Sequence, residues 1–375
     1  MTQEVIDQFE EEHPDITINA EYGGFDDQWD QLATQTAGGN APDIIQMDEK
    51  YLREYADRGT LLELNAVDVD QHEETAVENG TVDGALYAAT MGMNAQVLIA
   101  DPQLFEQAGV EMPDDETWTW DDFSQITADL TEGLDDGWGT AGPRGIGAFQ
   151  TWIRQSGGNV VTEDGELGFE VDAAAGYFEY FSELLDQGVL PPAEVIQENT
   201  SAPMEESLPA TGREAISTWW TNESVALTEA AGHKMEILRY PSRTGNPEDA
   251  EPWYKSSMYL SASAGTEYPE AAQAFIDYFV NSRAAADITG VERGIPSNPQ
   301  VREHVQQDLE AMEADTVEYI DAIESDLGDP EPLTAPGASN FNDILGRYQM
   351  EVFFGRMNPD EAAQSMYGEM EAQLS

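Results

Sequence analysis

The sequence predicts an α/β protein of two lobes, and three observations carry that prediction. Amphipathic helical stretches alternate with short apolar extended runs from the first residues onward. The chain has 375 residues, more than a single hydrophobic core usually serves, so two domains are expected. It is 40% hydrophobic and 9% aromatic with eight tryptophans, too apolar for a disordered acidic tail.

The elements follow in order. Val5, Ile6 and Phe9 recur at helical spacing and predict a helix over 2–12 that stops at Pro14, after which Ile16-Thr17-Ile18 reads as a short strand. A helix over 26–36 ends at Gly38-Gly39, residues 41–47 are extended, and a helix over 49–58 is stopped by Gly59. This βαβα order predicts a parallel sheet. A doubly wound lobe opens with a strand, whereas this chain opens with a helix. The first strand is therefore expected upstream of Met1, lost together with an export signal.

Asp101 is an N-cap with Pro102 in the first turn of a helix closed by Gly109. Residues 113–119 form a linker, and Thr119 caps a helix running through Trp120, Phe123, Ile126 and Leu130. The glycine-rich stretch 133–147 is expected to be a surface connection. A helix over 172–186 ends at Gly188, and a strand over 215–220 ends in two tryptophans. Asn222 is a candidate cap for a helix over 223–231. A strand over 258–260 precedes a helix over 269–281. From Pro299 the chain is mostly helical, with Asn358-Pro359 opening the last helix, and there is no internal repeat.

The net charge is −60, spread along the chain instead of gathered in a tail. Such a field repels phosphate backbones and anionic lipid surfaces, which sets aside nucleic-acid and membrane-surface partners. Only Lys50, Lys234 and Lys255 are lysines, against twelve arginines. That bias, with the acid excess, points to an extremely halophilic host, because self-repulsion at this charge needs salt to screen it. No apolar run is long enough to span a membrane.

No cysteine is present, which excludes disulfides, iron–sulfur clusters, thiolate zinc sites and cysteine nucleophiles. His13, His72, His233 and His304 lie apart, read as surface residues, and offer no pair at ligand spacing; no metal and no cofactor is expected. Phosphate-loop, dinucleotide, nucleophile-elbow and HExxH motifs are absent, and carboxylates are too numerous for any pair to signal acid–base catalysis. No enzymatic activity and no catalytic residue is predicted.

The aromatic residues are more telling. Indoles at strand ends beside carboxylates and amides suit a carbohydrate cleft, where sugar faces stack and hydroxyls are hydrogen-bonded. Trp29, Trp152, Trp219, Trp220, Trp253 and Tyr254 sit where strands end or loops cross. Trp118 and Trp120 flank a linker and a helix start and are assigned to the core.

Phe9-Glu10 followed by Pro14-Asp15-Ile16, the run Ala41-Pro42-Asp43-Ile44-Ile45, and residues 84–94 leading to Asp101-Pro102-Gln103-Leu104-Phe105 recur in order along the chain, followed by Glu292-Arg293-Gly294-Ile295-Pro296. Together, over nearly the whole length, they resemble the extracellular solute-binding proteins of sugar ABC transporters (family 1, the family that includes maltose-binding protein), here of a haloarchaeal type. Gln46-Met47-Asp48 with Tyr51 and Tyr55, and Tyr254-Lys255-Ser256-Ser257-Met258, resemble a branch that binds oligosaccharides and pectin-derived uronides.

The resemblance implies a periplasmic-binding-protein-like fold, with two doubly wound lobes joined by crossover strands. Lobe 1 would be residues 1–112 and 257–297, and lobe 2 residues 113–256 and 298–375, with crossings near 112–118, 255–260 and 296–301. It implies an extracellular, cell-surface monomer that closes on a carbohydrate ligand between its lobes and hands it to the permease subunits of an ABC transporter. The candidate ligand-binding residues are Asp48, Tyr51, Asn94, Trp152, Trp219, Trp220, Trp253, Tyr254, Lys255 and Arg293. Lys255 and Arg293 could meet the carboxylate of an acidic sugar, or serve as ion pairs at the hinge. Two other readings stay open at this level: a secreted polysaccharide-acting enzyme, and a same-fold binder of a non-sugar solute such as a polyamine or iron.

The charge makes a first prediction. The Debye length shrinks from about 10 Å at 0.1 M salt to about 3 Å at 1 M, so molar KCl should be needed for a cooperative circular-dichroism melt that is lost on dialysis to dilute buffer. An unchanged melt in dilute buffer would remove the halophile argument.

Overall fold

The computed structural model describes residues 1–307, 309–335 and 337–374, with the backbone alone for residues 25–27. The chain divides into two compact units, one made of residues 1–94 and 254–310 and the other of residues 95–253 and 311–375. The divisions thus fall at 94/95, 253/254 and 310/311, where the sequence reading had 112/113, 256/257 and 297/298. The first boundary moves furthest because Leu98, Ala100, Leu104 and Phe105 all pack into the core of the second unit.

In the first unit, the helix Thr2–Glu12 buries Val5, Ile6 and Phe9. Phe9 meets Phe275 and Tyr278 edge-on at 5.2 and 5.3 Å, both on the helix Pro269–Asn281. The sheet is built around the strand Tyr259–Ser263. One edge of that strand takes Ile44–Met47, in register Ile45 to Ser261 and Met47 to Tyr259; the other takes Leu61–Leu62 and Ala89–Thr90. All of these ladders run antiparallel. The expected parallel order fails because the neighbour of Ile44–Met47 is not the next strand in sequence but one that returns some two hundred residues later.

Ile16-Thr17-Ile18 forms no strand. The Ile18 amide donates to the Glu10 carboxylate at 2.7 Å, so a side chain satisfies the donor that a neighbouring strand would have taken, while both isoleucines rest against the core. His72 is not a plain surface residue either. Its two ring nitrogens lie 2.7 Å from Ser297 Oγ and 2.8 Å from Asn281 Oδ1, and burial lowers its pKa. Gly92 is required by close approach: a Cβ there would sit 2.4 Å from the Arg293 carbonyl oxygen, beside the bridge that joins Met93 to Ile295.

The second unit is organised on the strand Met93–Ala100, every residue of which is buried; its first two residues belong to the first unit. Within the second unit it pairs antiparallel with Ile216–Trp220, in register Val97 to Trp219 and Ala100 to Ile216, and with Glu236–Leu238 through Leu98 and Leu238. Parallel bridges join Thr119 to Ser242 and Trp138 to Glu214. Asp101 caps the helix Pro102–Ala108, and a reciprocal Thr119–Asp122 capping box opens Trp120–Gly133. The core is aromatic: Trp120, Phe149, Trp152, Tyr177 and Phe181 meet edge-on or tilted. The last helix, Pro359–Leu374, packs along Val171–Asp186.

Two local expectations change here. The stretch 133–147 is not simply a surface loop, since residues 140–143 are buried and a helix begins at Gly145. At Gly139 a Cβ would fall 2.0 Å from the Thr127 carbonyl oxygen, so the glycines serve close packing as well as turning. Asn222 does not cap the next helix: Ser224–Ala231 is preceded by a 3-10 turn over Thr221–Glu223, and the Glu223 carboxylate accepts the Trp220 amide at 3.0 Å. Among the described residues, no helix is long and apolar enough to cross a membrane.

Glu214 is a buried acid of this unit, 3% exposed, its Oε1 accepting the Ala141 amide at 2.8 Å. Desolvation pushes its carboxyl from 4.5 up to about 8, partly opposed by that hydrogen bond and by Arg144. Below pH 4.5 both folded and unfolded states hold the proton. Between there and pH 8 only the folded state does, so the unfolded state binds fewer protons and stability falls as pH rises. Glu214→Gln, which keeps the acceptor and cannot ionise, should hold its melting temperature across this range while the wild type declines relative to it; parallel pH-dependent melts would reject the assignment.

Candidate functional site

In the first unit, candidate residues gather where the strand Ile44–Met47 ends. Asp48 follows it and caps the helix Glu49–Asp57, one carboxylate oxygen accepting the Lys50 amide at 3.0 Å. One turn into that helix, Tyr51 lies 4.4 Å from the Trp29 ring, and the Lys50 ammonium sits 5.1 Å from the Tyr51 centroid. The Gln28 side chain donates to the Gln46 carbonyl at 3.0 Å, which ties the helix Phe25–Ala37 to the strand. A carboxylate, a cation and two rings thus share one strand end, a combination that can hydrogen-bond hydroxyls and stack on an apolar ring face.

Asn94 is buried in the same unit, beside Gly294, whose φ of +94° turns the chain next to its side-chain oxygen. Arg293 is half-buried and donates to Thr2 Oγ1 at 3.2 Å, while its carbonyl accepts the Ser257 hydroxyl. Tyr254 is only 2% exposed, and Lys255, its neighbour on the strand Tyr254–Ser256, is half-buried.

In the second unit, Trp220 closes the strand Ile216–Trp220, half-buried, and meets Trp253 edge-on at 5.3 Å. Trp253 is 4% exposed, and its indole N–H is buried without a hydrogen-bond partner among the described residues. It lines an open recess of about 310 Å³ with Gln96, Arg239, Tyr240 and Tyr319. The Tyr240 hydroxyl donates to Gln96 at 3.2 Å, and Arg239 is paired with Asp326 and donates to the Ala322 carbonyl. Trp152 lies in the aromatic core, its indole donating to the Ala173 carbonyl at 3.0 Å, and Trp120 is likewise a core ring bound to Gln155.

Alternation along the strand separates the two tryptophans at its end. Trp219 donates to Ser217 Oγ at 2.7 Å and carries the Arg144 guanidinium over its ring at 4.2 Å. Both line a second open recess of about 470 Å³, with Asn199, Glu214, Ser217 and Thr218. Sequence reasoning passed over Arg144, Glu214, Gln96 and Tyr240. The one available signal was Arg144 following Gly142-Pro143 at the head of a helical pattern; the others are ordinary core-spacing residues. Among the described residues, no group of three histidines or carboxylates could hold a metal ion.

The comparisons with known proteins agree with a ligand-binding frame of this kind. A lipoprotein encoded in the oleD 5′ region of Streptomyces antibioticus is 30% identical over 138 residues, covering 35% of this chain and 30% of that protein. An ABC substrate-binding protein of Listeria monocytogenes, solved in complex with cycloalternan, superposes at TM-score 0.82 with 21% identity over 99% of this chain and 94% of its own. A periplasmic oligogalacturonide-binding protein of Yersinia enterocolitica, solved with saturated digalacturonic acid, gives TM-score 0.82 with 20% identity over 100% and 95%. At these identities the structural likeness is one of fold, an α/β periplasmic-binding-protein fold over the full chain. Residues 4–314 match a sequence family in their own right, one of receptors that bind solutes instead of transforming them. With strand ends that gather rings, amides and carboxylates, and a fold shared along its length with ABC substrate-binding proteins, the chain belongs to the bacterial extracellular solute-binding protein family.

Proposed function

We propose that this protein captures a sugar or oligosaccharide outside the cell and delivers it to the permease subunits of an ABC importer. The observation that carries the reading is the placement of rings beside hydrogen-bonding side chains at strand ends: Trp29 and Tyr51 with Asp48 in one unit, Trp220 and Trp253 near Gln96 in the other. The Listeria and Yersinia proteins, whose solved complexes contain saccharides, support it. In this reading Asp48 accepts sugar hydroxyls, Asn94 adds an amide contact and Trp220 stacks on a ring. Ligand binding then shifts the receptor toward the conformation the permease recognises. The charge of −60 supports a saline exterior as the place of work.

Trp220→Ala and Trp120→Ala separate binding from folding. Calorimetry against an oligosaccharide panel in molar KCl should show at least a tenfold loss of affinity for Trp220→Ala, about 1.4 kcal/mol. Trp120→Ala, which removes a core ring bonded to Gln155, should lose roughly 3–5 kcal/mol of stability and retain affinity wherever it stays folded. Equal affinity of wild type and folded Trp220→Ala would return that residue to a packing role. The absence of any melting-temperature rise with saccharides would reject sugar capture.

A further inference from the structure

In a chain with fifteen cationic side chains and 75 acidic ones, an arginine without an acidic partner is an exception that needs a reason. Arg53, Arg58, Arg154, Arg213, Arg239 and Arg347 each meet a carboxylate. Among the described residues, Arg144, Arg243, Arg283 and Arg293 show no ion pair. Arg243 donates to Ser156 and Arg293 to Thr2, and Arg283 lines neither recess. The Arg144 guanidinium makes no hydrogen bond among the described residues. It is exposed, held over the Trp219 ring at 4.2 Å, and lines the recess beside that ring. Stacking on an indole leaves the guanidinium donors available, since they lie in the plane of the group and not along the contact with the ring.

The surroundings favour an anion and offer sugar-type contacts. Glu214, the carboxyl lining this recess, holds its proton at neutral pH because it is buried, so it adds little negative charge to compete for Arg144. Arg144 precedes the helix Gly145–Arg154, whose positive end adds to the attraction. Asn199, Ser217 and Thr218 supply neutral hydrogen-bonding groups in the same recess.

We propose that this recess binds the carboxylate of an acidic saccharide, with Arg144 as the residue that selects a uronate over a neutral sugar. The proposal rests on the sugar-capture reading and deepens it. It assigns the charge-reading role to Arg144, a residue that sequence reasoning did not single out, in place of Lys255 or Arg293. A bidentate pair of the guanidinium with the ligand carboxylate replaces the acidic partner that the protein itself withholds.

The test is calorimetry at one fixed molar KCl concentration with digalacturonic acid and its neutral counterpart, galactobiose, against wild type, Arg144→Gln and Arg144→Lys, with circular dichroism to verify folding. The wild type should bind digalacturonic acid at least tenfold more tightly than galactobiose. Arg144→Gln should reduce that ratio at least tenfold, and Arg144→Lys should restore part of it, since a point charge attracts a carboxylate without gripping both oxygens. If the wild type binds galactobiose as tightly as the acid, or folded Arg144→Gln keeps the preference, the Arg144 assignment falls and sugar capture stands. If the wild type binds neither these nor any neutral oligosaccharide, both fall.

Discussion

The buried strand Met93–Ala100 is the constraint on which the rest of the structure depends. At its start, Gly92 admits the Arg293 carbonyl and Met93 bridges Ile295, which fixes Asn94 beside Gly294. Four residues further, its register with Ile216–Trp220 sets Trp219 opposite Val97 and Trp220 opposite Gln96. A slip of one residue would exchange the faces of every side chain on the strand, and with them the neighbours of both tryptophans. Its unbroken burial makes such a slip costly, because polar and apolar positions are fixed by the core on both sides.

Charge is the second constraint. The acids lie largely in water, whereas most arginines are committed to particular carboxylates: Arg154 beside Glu251, Arg239 beside Asp326, Arg302 beside Glu73. These pairs are partly or wholly withdrawn from solvent, and Arg154 also donates to the carbonyls of Glu251 and Asp329. Such arrangements fix loops in place more than they add net stability, because burying both charges offsets much of their attraction.

Much of the fold was legible because helix signals are local. Asp101-Pro102, Thr119 with Asp122, and Asn358-Pro359 each mark a helix start with chemistry confined to a few neighbouring residues. Strand pairing was not legible in the same way. Nothing near Ile44 announces that its partner is Ala262, and Ile16 to Ile18 looks like a strand until Glu10 takes its amide. The candidate site divided along the same line. Asp48 and Trp220 stand at strand ends as read, whereas Trp152, read with them as a ligand contact, stands in the core beside Trp120, which the sequence already assigned there. Arg144 and Glu214 are far apart in sequence, and only the folded chain places them on one recess.

The antiparallel sheet of the first unit has a consequence for how the protein is made. Its central strand, Tyr259–Ser263, receives Ile44–Met47 on one edge and Leu61–Leu62 and Ala89–Thr90 on the other. None of these three early strands can pair there until the chain has been synthesised past residue 263. The amino-terminal segment must therefore wait, its strand edges open, while the intervening residues emerge and begin to fold as a unit of their own. Dense negative charge on that waiting segment, from Glu10 to Asp70, is a safeguard in its own right: chains that repel one another are slow to join through exposed edges. The acidity of the finished surface thus also protects the half-made protein.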